Sequence, residues 1–116
     1  MKIKVTENPG FSLIEICNDN GRIASAKDYI DESTELQDIY FPVASGKLAV
    51  IAGLCWAAHT VCVAHYKSDF EAIALVNSRP GVALIVHSTT PDYKVGQDIP
   101  SPVPVHGLGR YEVFYR

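Results

Sequence analysis

The stretch that decides the fold runs from Lys47 to Ser88 and reads KLAVIAGLCWAAHTVCVAHYKSDFEAIALVNSRPGVALIVHS. It opens with an unbroken apolar run, Leu48–Ala52, which is typical of a strand covered on both faces. Gly53 follows as a hinge, and the largely apolar segment Leu54–Lys67 has the length and composition of a helix. This order predicts a strand followed by a helix at the centre of the protein.

A second apolar run, Phe70–Val76, follows the helix, which predicts a strand–helix–strand crossover with parallel strands. The next turn, Asn77-Ser78-Arg79-Pro80-Gly81, is too short for another crossover. Val82–Val86 should therefore run back antiparallel in a strand that ends at His87. We expect one small domain over residues 1–116 of the α/β (α+β) class, with a mixed β-sheet, a central strand–helix–strand unit and one or two packed helices.

The residues before this stretch predict a hairpin and an acidic surface segment. Lys2–Glu7 and Phe11–Cys17 are rich in strand-forming residues and are joined by the turn triplet Asn8-Pro9-Gly10. Lys27–Asp38 carries five acidic residues against one lysine and suits a short surface helix. A carboxylate metal site is one interpretation of this charge run, but a solvated acidic face is the favoured one.

The residues after it predict a polar loop and a final strand. Ser88–Gly96 is rich in hydroxyl groups. The prolines that follow alternate with other residues, at Pro100, Pro102 and Pro104, and favour an extended connection. Arg110–Arg116 alternates in polarity and is predicted to be a last strand. Tyr111 and Tyr115 could stack on a base, although packing in a core or an interface is the favoured interpretation.

Charge and cysteine content restrict the ligands and the compartment. The chain has a formal net charge of -3, so it lacks the broad basic surface that binds long DNA or RNA. Its three cysteines, Cys17, Cys55 and Cys62, form neither a metal motif nor an even disulfide set, which favours a reducing cytoplasm. Leu48–Tyr66 has nearly the length of a membrane span, but Gly53 and two histidines interrupt it, so no membrane partner is expected.

Two positions in the central stretch suit phosphate chemistry. Gly53, between a strand and a helix, would let a ligand approach the free N–H groups at the helix start, although a tight turn explains a glycine equally well. Arg79 could hold a phosphate with its planar guanidinium. His87 lies at a strand end, whereas His59 and His65 are six residues apart and diverge by about 120° around a helix, too far for an ordinary shared metal pair.

The order of these motifs resembles the small CRISPR-associated ring nucleases of the Csx-three type. The matching segments are Leu48–Gly53, Ala64-His65-Tyr66, Asn77–Gly81, His87-Ser88 and Lys94–Ile99. The resemblance implies a phosphodiesterase that degrades the cyclic oligoadenylate second messengers of type III CRISPR antiviral defence. Related members shorten RNA tails with manganese.

One departure from the family bears on the metal. Members carry an aspartate at the start of the turn, where this chain has Asn77, and a neutral amide is a poorer metal ligand. We therefore expect no required cofactor, with manganese still possible from the resemblance. A protein that binds cyclic nucleotide without cutting it is the main alternative, and a purely structural protein is another.

The expected mechanism is attack of a ribose 2′-hydroxyl on the adjacent phosphodiester, with proton transfer through a histidine. His87 is the first candidate for the acid or base and His65 the second. Arg79 would offset the phosphorane charge and Asn77 would orient an oxygen. The predicted substrate-binding residues are Gly53, Ser88, Thr89 and Lys94. Because a cyclic ligand has rotational symmetry, a homodimer or higher oligomer is expected.

Overall fold

The computed structural model describes residues 1–24, 27–28, 38–53, 56–76 and 81–101. Six strands form one sheet in this part of the chain, and each strand lies next to the one that follows it in sequence. The elements are β1 Lys2–Asn8, β2 Phe11–Cys17, β3 Gly46–Ala52, helix α1 Trp56–Tyr66, β4 Phe70–Val76, β5 Val82–Ser88 and β6 Asp98–Pro100.

The sheet is mixed, as predicted. Strands β2, β3 and β4 run parallel to one another, while β1, β5 and β6 each pair antiparallel with a neighbour. Helix α1 connects β3 to β4, which confirms the strand–helix–strand unit. The central strand β3 is buried from Leu48 to Ala52, because both of its faces are covered, and this explains its unbroken apolar run.

The β1–β2 hairpin is also confirmed, and its turn requires a glycine. Asn8 pairs with Phe11, so Pro9 and Gly10 alone make the turn. Gly10 adopts φ = 86°, a left-handed conformation that residues with a side chain reach only at a cost. The Asn8-Pro9-Gly10 triplet therefore fixes which residues of β1 and β2 face each other.

Hydrophobic side chains pack on both faces of the sheet. Alternate residues of β3 divide between them: Ala49 and Ile51 belong to the cluster beneath α1, and Val50 to the cluster on the opposite face. The helix contributes residues four positions apart to the first cluster, namely Ala58, Cys62 and Tyr66, all with 0% exposure. The second cluster uses smaller side chains, including Ala52, Ala72, Ala74 and Ala83.

The outer side of helix α1 is only partly covered in the single chain. Thr60, Ala64 and His65 are exposed. The alanine and threonine on this side are small enough to be left in water at little cost. Phe41, from the segment before β3, covers part of the outer side by stacking on His65.

Pro100 belongs to a strand, which is an extended segment as predicted, whereas Pro102 and Pro104 lie outside the described residues. Asp98–Pro100 forms β6, an edge strand that pairs with Val82–Leu84 of β5. A proline is tolerated there because an edge strand needs only one side of its backbone for pairing. The predicted strand Arg110–Arg116 and most of the acidic segment Lys27–Asp38 lie outside the described residues.

No helix in the described ranges is long and apolar enough to cross a membrane. Helix α1 has 11 residues, whereas a membrane-spanning helix needs about 20.

Candidate functional site

Gly53 lies directly after β3 and packs against β2. A Cβ atom at this position would come within 2.8 Å of the Cβ of Ile16, closer than two carbon atoms can approach. The residue is buried, and its neighbour Ala52 pairs with Val76 at the end of β4. Close packing on Ile16 is therefore a sufficient reason for a glycine here, and the phosphate-binding role of Gly53 stays a prediction.

His59 is tied to Gly53 by a hydrogen bond. Its Nε2 lies 2.7 Å from the Gly53 carbonyl oxygen, and since a carbonyl only accepts, Nε2 carries the proton and donates it. Burial lowers the pKa of His59, although the bond to Gly53 acts in the opposite direction. The ring is therefore neutral near pH 7 and joins the end of β3 to α1. The sequence showed only that His59 follows Gly53 by six residues, a weak signal for this contact.

His87 occupies an irregular place in β5. Ile73 pairs with His87 and Ala74 with Ile85, so Val86 is an extra residue that forms a β-bulge. The Nε2 atom of His87 is buried and has no hydrogen-bond partner among the described residues. Buried polar atoms are rarely left this way, and such atoms together with β-bulges often occur near functional sites.

Ser88 and Thr89 use their hydroxyl groups to shape the loop after β5. The Ser88 Oγ lies 2.9 Å from the Thr90 carbonyl oxygen and 2.8 Å from the Tyr93 carbonyl oxygen, and its single proton is donated to one of them at a time. The same Oγ accepts a hydrogen bond from the Thr90 N–H at 3.3 Å. Thr89 donates to the Glu71 carbonyl oxygen through its N–H at 2.7 Å and its Oγ1 at 3.1 Å. These bonds give both residues a structural role beside the predicted substrate-binding one.

Lys94 is exposed further along the same loop. Its N–H donates to the Gln97 Oε1 at 2.9 Å, and its carbonyl oxygen accepts from the Gln97 N–H at 2.9 Å. The backbone of Lys94 is thus held in a short turn. Its ammonium group makes no ion pair with a described residue, so it remains available to an anion.

His65 lies on the outside of α1, at its last turn. The ring stacks on Phe41, with centroids 4.2 Å apart and planes 14° apart, and it meets Tyr66 edge-on at 4.7 Å. The Tyr66 hydroxyl in turn donates to the Pro42 carbonyl oxygen at 2.5 Å. His65 is therefore held in place by aromatic contacts while its ring edge stays accessible.

The described residues of the predicted site do not converge on one pocket. Gly53 lies at the level of Val76, where β4 ends, whereas His87 is opposite Ile73. Three residues along a strand correspond to roughly 10 Å. Ser88 pairs with Ala72, still further from Gly53. The catalytic candidates Asn77 and Arg79 lie outside the described residues.

Two concavities that the sequence did not predict adjoin the start of β3. One has a volume of about 390 Å³ and is lined by Ser12 and Lys47 among others. The other has a volume of about 340 Å³; Lys47 lines it too, together with Glu71 and Asp92. They combine residues from the β1–β2 turn, the start of β3 and the loop after β5, which are far apart in sequence. No local pattern signals such a combination.

Manganese has no evident ligand set in the described ranges. No group of three or more histidine, cysteine, aspartate or glutamate side chains converges there. Mn²⁺ prefers carboxylate and other oxygen ligands, and position 77 of this chain is an asparagine, whose neutral amide is a poorer ligand. We therefore derive no reaction step through a metal.

No protein-family model and no curated protein matches the sequence.

Proposed function

We propose that this protein is a ring nuclease that cleaves a phosphodiester bond of cyclic oligoadenylate in the cytoplasm. The proposal originates in the resemblance to the Csx-three-type ring nucleases. The structural observation that best supports it is His87, whose buried Nε2 has no partner among the described residues and lies next to a β-bulge. A histidine nitrogen free of protein hydrogen bonds can exchange a proton with a substrate.

The reaction that fits these residues is intramolecular. A ribose 2′-oxygen attacks the adjacent phosphorus, the bond from phosphorus to the 5′-oxygen breaks, and a 2′,3′-cyclic phosphate and a 5′-hydroxyl result. One proton leaves the 2′-hydroxyl and one reaches the 5′-oxygen. His87 carries out one of these transfers, with His65 as the second candidate. Arg79 offsets the negative charge of the phosphorane, and Asn77 orients an oxygen.

Binding of substrate is assigned to groups on either side of His87. Lys94 supplies a free ammonium group for a phosphate, and Ser88 and Thr89 begin the loop that carries it. Gly53 is offset from His87 by roughly 10 Å along the strands and by two strand spacings, about 10 Å, across the sheet, a separation that an extended nucleotide ligand can span. A homodimer around the ring would present each group twice to a symmetric ligand.

Capture of the messenger without cleavage is the second candidate function. The neutral Asn77, in place of the aspartate of those ring nucleases, favours it. In such a protein the ligand would bind without bringing the His87 Nε2, which is buried in the free protein, into contact with the reacting atoms. Such a protein would lower the messenger concentration by binding alone.

One assay separates these functions. The purified protein is incubated with cyclic tri-, tetra- and hexa-adenylate, with added manganese or with a chelator, and the products are followed by mass spectrometry. Linear products with 2′,3′-cyclic phosphate ends in the presence of chelator support the metal-free nuclease. Cleavage only with manganese contradicts the proposed mechanism. Binding without products supports capture, and neither binding nor products leaves a structural role.

A further inference from the structure

A concavity of about 380 Å³ opens between α1 and strands β4 and β5. Its apolar lining consists of Val63 and Ala64 from α1, Leu75 from β4 and Val86 from β5. We call it the α1–β5 groove. It is separate from the two concavities near the start of β3, with which it shares no lining residue.

The groove keeps apolar side chains within reach of water. Val63 and Val86 are half-buried and Ala64 is exposed, whereas most residues beneath the inner side of α1 are fully buried. Its volume is within the usual range for small-molecule sites, which are mostly apolar with a few polar groups that orient the ligand. Transfer of hydrocarbon from water onto these side chains is favourable.

The charged group on its rim is Lys67. This side chain is exposed just after α1 ends, and none of the described residues forms an ion pair with it. Among the described residues, no aspartate or glutamate lines the groove. His59 also lines the groove, but burial lowers its pKa and its Nε2 is committed to Gly53. The charged head of an organic cation would therefore meet the like charge of Lys67, whereas the charged head of an organic anion could pair with it.

We infer that the α1–β5 groove binds a small monocarboxylic acid with an apolar body. The hydrocarbon part lies against Val63, Leu75 and Val86, and the carboxylate pairs with the Lys67 ammonium group. The inference does not depend on nuclease activity. Because Val86 is the extra residue of the bulge that precedes His87, the ligand would contact the neighbour of the proposed catalytic histidine.

Decanoate is a suitable probe, with decanol and decylammonium as neutral and cationic analogues of the same chain length. Isothermal titration calorimetry and NMR of the valine and leucine methyl groups measure binding to the full chain. We expect saturable decanoate binding with shifts at Val63, Leu75 and Val86. Decanol should bind about fivefold to tenfold more weakly, because it lacks the charge that pairs with a partly exposed lysine.

Two pairs of variants test the charge. Lys67→Met should reduce decanoate affinity to about that of decanol, while Lys4→Met, an exposed lysine on β1, should leave it unchanged. Ala64→Glu should weaken decanoate binding further than Ala64→Gln, since only the glutamate repels a carboxylate. All three positions are exposed, and circular dichroism checks that the four variants fold.

Several results would overturn the inference. Equal affinities of Lys67→Met and the parent chain for decanoate would show that Lys67 does not bind the carboxylate. Equal affinities of the parent chain for decylammonium and decanoate would show that the groove does not select its ligand by charge. Shifts that spread over the surface without saturation would indicate non-specific adsorption. Methyl shifts that depend on protein concentration, with no decanoate binding, would assign the groove to a second copy of the chain. Loss of nuclease activity alone would not bear on any of these readouts.

Discussion

The imidazole Nε2 of His59 lies 2.7 Å from the carbonyl oxygen of Gly53 and donates a hydrogen bond to it. This contact joins the end of the central strand to the first turn of the helix that follows. Gly53 is at the same time packed on Ile16, so the junction is held from both sides. The first two predictions concern this junction.

Stability should fall when the pH drops below about 6.5. Burial lowers the pKa of His59 from its ordinary value of 6.5, so the unfolded chain takes up a proton at a higher pH than the folded chain. Stability from this group is present above the unfolded pKa and is lost as the pH falls toward the folded one. Urea denaturation at about pH 7.5 and about pH 5.5 measures the difference. In His59→Gln, which keeps a donor but does not titrate, the dependence should be smaller; an unchanged dependence would contradict this assignment.

Gly53→Ala should destabilise the protein by about 1–3 kcal/mol, the usual cost of overpacking a core. The added methyl would lie 2.8 Å from the Cβ atom of Ile16. Every residue except glycine has a Cβ atom, so a smaller side chain at position 16 would leave this contact in place. Ile16→Val should therefore not rescue the variant in chemical denaturation. Gly10→Ala is a useful contrast, because nothing lies within 4 Å of its Cβ and its cost comes from the backbone conformation alone.

Tyr66→Phe should lower the free energy of unfolding by about 1–2 kcal/mol. The substitution removes the hydroxyl that donates to Pro42 and leaves that carbonyl without this donor. Burial raises the pKa of Tyr66 to about 12, with smaller contributions from Cys62, Asp69 and Tyr40. Absorbance titration should therefore lose one late-titrating tyrosine in the variant. Normal stability in Tyr66→Phe would show that the bond contributes nothing.

If the chain is a ring nuclease, His87→Ala should reduce turnover by at least about 100-fold, the lower end of what a general acid or base contributes. The fold should survive, since no described residue depends on a hydrogen bond to the His87 Nε2. His65→Ala is the comparison, and we expect a smaller loss there, because its ring is stacked on Phe41. Product formation by mass spectrometry measures both, and unchanged turnover in His87→Ala would exclude His87 from the reaction.

Asn77→Asp should reveal any residual link to manganese. The substitution introduces the acid that Csx-three-type ring nucleases carry in the corresponding turn, and a carboxylate is a better ligand for Mn²⁺ than an amide. We expect manganese to stimulate cleavage in this variant but not in the parent chain. Asn77→Gln keeps the amide and is the matched control. Stimulation of the parent chain to the same extent would show that the asparagine does not determine the metal dependence.

The fold could be predicted well because its elements depend on local patterns. The apolar run Leu48–Ala52 and the short turn after Val76 correspond to a buried strand and an antiparallel return, and both are found. The bulge at Val86 could not be predicted, because valine and histidine fit a regular strand equally well. The short strand Asp98–Pro100 depends on pairing with β5, a tertiary contact that overrides its proline content.

The candidate site was harder to predict for a physical reason. Residue type suggests what Gly53, His65 and His87 could do, but not which of them meet. The register places Gly53 and His87 at different levels of the sheet, and the partner of Gly53 is His59. That pairing depends on the rotation of α1 about its axis, which a single apolar helix sequence does not specify.

The sequential order of the strands has a consequence for how the chain is made. Each strand pairs with the one synthesised just before it, from β1 with β2 to β5 with β6. None of these six described strands therefore has to be inserted between two that were made earlier. The sheet can extend from one side as residues leave the ribosome, and its exposed edge at each stage is the place where the next strand adds.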